Sequence, residues 1–167
     1  MKKKTIFLLG GATLLLAVLL TGLLMNTGRG SAQGTLQAYY TAMYTREGTA
    51  DDLCACIAAQ DRQTVRAQLE QTDLLFRWHD EALLQVGEQI RIEIRLLDRG
   101  AEDAKSLNAV RETYPGTEQF SAVGFELKLT GSDGWETLTG VAPMLRQQGK
   151  WYLTGQTVEL TVTGRSE

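Results

Sequence analysis

FSAVGFELKLTGSDGWETLTGVAPMLRQQGKWYLTGQTVEL, residues 120–160, decides the fold. Val123, Phe125, Leu127 and Leu129 alternate with Gly124, Glu126, Lys128 and Thr130. A strand with one buried face produces this period of two. Gly131, Ser132, Asp133 and Gly134 interrupt it with turn residues. A second extended run covers Trp135 to Arg146, and Gln147-Gln148-Gly149 supplies another turn. A third run begins at Lys150-Trp151-Tyr152-Leu153. Three runs joined by short turns predict an antiparallel meander. A sheet of that kind keeps one face on a core and one face in water.

Upstream, Glu88 to Arg99 (EQIRIEIRLLDR) is the strongest single strand in the chain. Ile90, Ile92, Ile94 and Leu96 face one way; Arg91, Glu93, Arg95 and Leu97 face the other. Ala104, Leu107, Val110 and Tyr114 then recur at helical spacing, and Pro115-Gly116 stops that helix. Leu36, Tyr39, Tyr40 and Met43 mark an earlier amphipathic helix that Gly48 ends. Thr49 caps a second helix, with Asp51 and Asp52 in its first turn and Leu53, Cys56 and Ile57 on its buried stripe. Asp61 is placed to cap a third helix carrying Val65 and Leu69. Gln71 to Val86 reads as helix with a break near Thr72-Asp73; Phe76, His79 and Leu83 share one face, Leu75 and Trp78 another. Helices, a strand, a helix and three or four strands predict an α+β domain, with helices on one face of a curved antiparallel sheet.

Length and composition fit one such domain, residues 35–167, behind a leader. After MKKK, residues 6–25 contain no charge, and a bilayer-spanning helix needs about 20 apolar residues. Residues 1–25 therefore read as a signal-anchor that holds the chain in the cell membrane by one span. The positive-inside rule leaves the lysines in the cytoplasm and the C-terminal domain outside. Residues 26–34 read as a flexible stalk. The rival reading is secretion after cleavage near Ala32, where Gly30-Ser31-Ala32 supplies small residues. Without Lys2, Lys3 and Lys4 the balance is 14 basic against 20 acidic residues. No basic patch with interleaved aromatics exists, which argues against nucleic acid.

The order of elements, with TLTGVAPMLRQQGKWYL (137–153), resembles exported or membrane-anchored Gram-positive proteins of the nuclear transport factor 2-like group, a cystatin-like α+β fold. The resemblance rests on a turn before Gly149-Lys150-Trp151, followed by Tyr152 and Leu153. It covers about Thr35 to Leu160 in pattern. Met144-Leu145-Arg146-Gln147, just before the turn, is less strand-like than the group's pattern. Some conjugation-apparatus components are similar in plan, with one N-terminal span and one exported domain. The resemblance implies the fold; isomerases, dehydratases and ligand binders share it, so it does not imply an activity.

The residues point away from catalysis. An enzyme of this fold needs a titratable group inside the cone between sheet and helices. The two cleanest strand faces, Ile90 to Leu96 and Val123 to Leu129, carry none. His79 is the only histidine, and its neighbour Asp80 is not placed to face it on a helix. No phosphate-binding glycine loop, nucleophile elbow or HExxH pair is present. Cys54 and Cys56 point roughly 160–200° apart on a helix, which disfavours a mutual disulfide or shared metal. With His79 they also fall short of the about four ligands of a structural zinc site. No catalytic residue, cofactor or metal is expected.

The chain reads as a non-catalytic, membrane-tethered, extracytoplasmic interaction or assembly module of the cell envelope, with a protein partner. Arg91, Glu93, Arg95, Glu126 and Lys128, on the wet face of the sheet, are its candidate contact residues. The alternative is a domain that binds a small apolar ligand in the cone, with Tyr39, Tyr40 and His79 as candidate contacts; each is also accountable as a packing residue. A cavity enzyme of the isomerase or dehydratase kind is the third reading.

Overall fold

A computed structural model of the chain describes residues 28–99 and 104–166. Helices pack against a strongly curled antiparallel sheet, a half-barrel, as the alternation in residues 120–153 predicts. After one 3-10 turn at Gly28–Gly30 come α1 (Ala32–Tyr44), α2 (Ala50–Ala55), α3 (Arg62–Thr72) and α4 (Leu74–Val86). Then follow β1 (Arg91–Arg99), α5 (Ala104–Thr113), β2 (Gln119–Thr130), β3 (Trp135–Gln147), β4 (Lys150–Leu153) and β5 (Leu160–Arg165). The sheet order is β1-β2-β3-β4. β3 is long enough to pair β4 through Met144–Gln147 and β5 through Glu136–Gly140. Among the described residues no helix is long and apolar enough to cross a membrane; the run 6–25, read as the anchor, lies outside them.

Turn chemistry sets the register. Gln148 and Gly149, both at positive φ (51° and 73°), make a two-residue β3–β4 hairpin turn whose twist suits the strands. At the β2–β3 turn, Ser132 N–H donates to Glu88 O and Asp133 N–H to Val86 O. The turn therefore sits against the end of α4, and a Cβ on Gly131 would lie 2.4 Å from Val86 O. Met144 and Leu145 are strand residues and fully buried, although their stretch is the least strand-like of the tail.

Inward residues of β2 and β3 meet α1. Val123, Phe125 and Leu127 have no exposure, nor does Leu36 from α1. Tyr40, 1% exposed, stands at the centre, with its ring 5.4 Å from that of Phe125. On β1, Ile94 is buried and Ile92 and Leu96 are half-buried against the core, as is Ile90 just before the strand. Arg91, Glu93 and Arg95 are exposed, as the alternation requires.

Local expectations meet tertiary structure at several points. Thr49 and Asp52 form a full capping box. Asp73, in the left-handed region (φ 49°), breaks α3 from α4 where the sequence suggests. The buried side of α4 is Ala82 and Val86 with Leu75 and Trp78 behind them, while Phe76 is 68% exposed. α1 starts inside the stretch read as stalk: Ser31 caps it, accepting from Gly34 N–H, and Ala32 is fully buried. Thr35 Oγ1 ties the same turn to Trp151 O at 3.0 Å. Asp61 occupies the N-cap position of α3, just before Arg62, but its side chain makes no capping bond. Its Oδ2 accepts from Tyr114 Oη (2.8 Å) and Gly155 N–H (2.7 Å), two distant partners that outweigh the local cap. Trp135 is 39% exposed on the outer face, against 6% for Trp151.

Candidate functional site

The cone between helices and sheet is filled by side chains. Tyr40 stacks on Tyr44 (centroids 6.1 Å apart, planes at 10°) and meets Tyr39 edge-on at 5.1 Å. Tyr40 and Tyr44 stand four residues apart on α1, a spacing that puts them on one face. Burial pushes the Tyr39 and Tyr40 phenols far above their usual range. Tyr44 is pushed up to about 12, first by burial and then by the Glu136 and Glu81 carboxylates. All three are held protonated at neutral pH, unsuited to act as bases.

What remains open is a cleft of about 270 Å3 at the mouth of the cone. α1 contributes Tyr39 and Tyr40, α4 contributes Trp78, and residues 154–158 close the far side. None of its lining residues is charged. Thr154 is one of them; it is 3% exposed, and its Oγ1 has no hydrogen-bond partner. A buried hydroxyl left in that state costs about 1–3 kcal/mol. Sequence gave no sign of Thr154, because its burial depends on the path of the chain after β4.

His79 lies elsewhere. It lines a second, polar cleft of about 400 Å3 with Arg46, Glu47 and Glu88. Its Nδ1 stands 3.7 Å from Asp80 Oδ1, beyond hydrogen-bond length. Tyr39 and Tyr40 thus share one opening and His79 another, with Tyr44 on the wall of both. Glu136 is the titratable residue that the strand faces of β1 and β2 do not reveal: it points inward from β3 and is 7% exposed. The signal was present, since Glu136 shares parity with Leu138, Ala142 and Met144.

The thiols are inert by position. Cys54 and Cys56 are 2% and 0% exposed. Their Sγ atoms approach different carbonyls, Arg62 O and Asp52 O. Burial pushes the Cys56 thiol up to about 11, which disfavours the reactive thiolate. Among the described residues no group of three or more His, Cys, Asp or Glu is placed to hold a metal ion.

The outer face of the sheet collects the five charged candidates. Register sets Arg95 beside Glu126 and Glu93 beside Lys128. Arg95 Nη2 and Glu126 Oε2 are 3.1 Å apart, so part of the charge is satisfied within the face. Lys128 Nζ lies 5.8 Å from the centre of the Trp135 ring, a cation–π contact. Thr130 pairs with Arg91 on one side and Trp135 on the other, which puts those two side chains in one row. Val141, 59% exposed, opposes Gly124 on the same face. Sequence reading found the charges but not the aromatic among them, because a tryptophan beside a turn is ordinarily core.

No protein-family model matches the chain, and no curated protein or solved structure matches it. The half-barrel with helices on one side is compatible with the nuclear transport factor 2-like plan and defines an α+β domain.

Proposed function

We propose that this protein is a non-catalytic, membrane-tethered interaction module of the cell envelope, and that the outer face of its sheet binds a protein partner. The observation that carries this reading is the exposed side of that face, where Arg91 shares a row with Trp135, Lys128 lies against the same ring, and Arg95 and Val141 follow in separate rows along the strands. Arginine and tryptophan dominate the energetic centres of protein interfaces. Mixed charge around them steers and selects a partner. The filled cone and the three protonated tyrosines support the absence of catalysis. The tether rests on residues 6–25, and the resemblance to anchored exported proteins supports the same placement.

Arg91→Glu with Arg95→Glu tests the proposal. Arg91→Glu is a surface change that costs within about 0.5 kcal/mol, while Arg95→Glu sets a like charge opposite Glu126 and costs up to about 1 kcal/mol more. The variant is expected to stay folded with a slightly lowered melting temperature and to lose the partners recovered by cross-linking in cells. Undiminished recovery from a folded variant contradicts the proposal. So does its loss on His79→Ala or Tyr40→Phe alone, which would move function to the clefts.

A further inference from the structure

We infer that the outer edge of β5 is a self-association surface, where two copies of this chain pair antiparallel about a two-fold axis and join their sheets into one. The site is an edge of the sheet, not its outer face, and the pairing does not depend on the interaction reading.

Among the described residues, β5 carries the strand edge that nothing covers. The free edge of β1 is taken up by Gln33 and Gln37, whose side chains bond backbone groups of Ile94 and Ile92. β4 is closed by backbone bonds between Leu153 and both Cys56 and Ala58. β5 pairs β3 on one side, and no described strand, helix or loop bonds the backbone of Leu160–Arg165 on the other. Thr161 lies opposite Thr139 and Val162 opposite Leu138, so their side chains point to opposite faces, yet both are exposed. The sequence LTVTGR has β-branched residues at its centre and neither the proline nor the lysine that commonly guards an edge. Its one irregularity is a register shift against β3 between Val162 and Gly164. That shift bends the strand and confines pairing to one short stretch.

The strand is also preformed. Ser166 N–H donates to Trp135 O, and Trp135 N–H donates to Ser166 Oγ. A Cβ on Gly164 would lie 3.1 Å from the Trp135 ring, so the end of the strand is seated on the tryptophan. Little ordering is left for a partner to impose, which favours pairing.

Charge and symmetry select a second copy as the occupant. Glu159 stands just before β5 and Arg165 ends it, both exposed. An antiparallel pair sets the Glu159 end of each strand beside the Arg165 end of the other, whereas a parallel pair sets like charges together. The midpoint falls at Val162, which is 43% exposed. The contact is isologous and consumes the open edge of both copies, so it closes at the dimer. Its two-fold axis stands normal to the joined sheets. Both helical layers therefore lie on one side and both outer faces on the other. α1 follows the run 6–25 and belongs to the helical layer, so two chains tethered to one membrane can meet in this geometry. A pair of six-residue strands is a small interface, under about 1,200 Å2 in total. Tethering raises the local concentration that fills it.

The test uses the full chain in detergent, loaded from about 1 μM to about 1 mM. Sedimentation should show a monomer–dimer equilibrium, and hydrogen exchange over residues 159–166 should slow as the dimer fills. Val162→Lys and Val162→Glu each set like charges across the two-fold axis. Each should be monomeric with an unchanged circular dichroism spectrum. Mixed in equal amounts they should restore the dimer, because lysine then faces glutamate; a general loss of folding would not be rescued in this way. The exchange measurement on the unaltered chain needs no variant. A chain that is monomeric throughout, or a dimer whose exchange over residues 159–166 is unchanged, overturns the inference. So does a dimer that survives Val162→Lys, as one made through residues 6–25 would, or a mixture that stays monomeric. Arg91→Glu with Arg95→Glu should leave the dimer intact; its loss there would place the contact on the outer face and overturn the inference.

Discussion

Trp135 and Glu136 are neighbours in the chain and live in opposite environments. The tryptophan lies over Lys128 on the outer face, while the glutamate points among the inward residues of β3. Strand parity produces the inversion, because the turn at Gly131–Gly134 sets which residue of the pair faces the core. Trp151, by contrast, has its ring inside. Trp151→Ala is therefore expected to cost about 3–5 kcal/mol in urea unfolding, and Trp135→Ala less than about 1 kcal/mol. Equal losses would show that the facing is wrong. The tyrosines make a second residue-level prediction. Unfolded tyrosines ionise near pH 10, whereas Tyr44 is held up to about 12 and Tyr39 and Tyr40 higher still. Their contribution to stability is full below the unfolded value. It is lost as pH rises above it, because the unfolded chain releases protons that the folded chain retains. Urea unfolding should thus show stability beginning to fall above about pH 8.5, where the unfolded Cys56 thiol ionises while the folded one is held up to about 11, and falling more steeply above about pH 10 as the tyrosines join it. Tyr44→Phe should make that fall shallower; an unchanged slope contradicts the burial of its phenol.

At the scale of elements, the edges of the sheet explain which predictions local sequence could support. β1 is an edge strand, and α1 covers that edge. Gln33 Nε2 donates to Ile94 O (2.8 Å), Gln37 Nε2 donates to Ile92 O (2.7 Å), and Ile94 N–H donates to Gln37 Oε1. Two glutamines one helical turn apart thus satisfy strand groups that would otherwise invite a foreign strand. At the other edge, Leu153 exchanges backbone bonds with Cys56 and Ala58 just after α2. Replacing Gln33 and Gln37 by alanine should lower stability by about 1–3 kcal/mol. It should also speed hydrogen exchange at the Ile94 amide; an unchanged exchange rate would show that the contact is not maintained. Neither edge was legible in the sequence, since a polar pair at this spacing looks like any wet helix face. The caps and breaks were legible where their cause is local. Thr49 with Asp52, and the break at Asp73, belong to this class. Asp61 was misread because the capping rule sees only its own turn, and its carboxylate is taken by Tyr114 and Gly155. The cleft behind Gly155 was out of reach for the same reason, as four separate segments of chain build it.

For the whole molecule, the proposed tether leads into a domain with one uncovered sheet face. If residues 6–25 anchor the chain, it stays with membranes through alkaline extraction and keeps its N-terminus. A soluble exported species beginning near Gln33 would contradict the anchor; it would also lack the Ser31 cap and the buried Ala32 of α1. The central claim is that the outer face of the sheet meets a protein partner while the helical side does not. Site-specific photocross-linking in cells tests it most directly, with the reactive side chain placed at Val141 on that face or at Leu84, which is 85% exposed on α4. The account predicts a discrete adduct from Val141, absent when Arg91 and Arg95 are both changed to glutamate, and none from Leu84. An adduct from Leu84 with none from Val141 would contradict it.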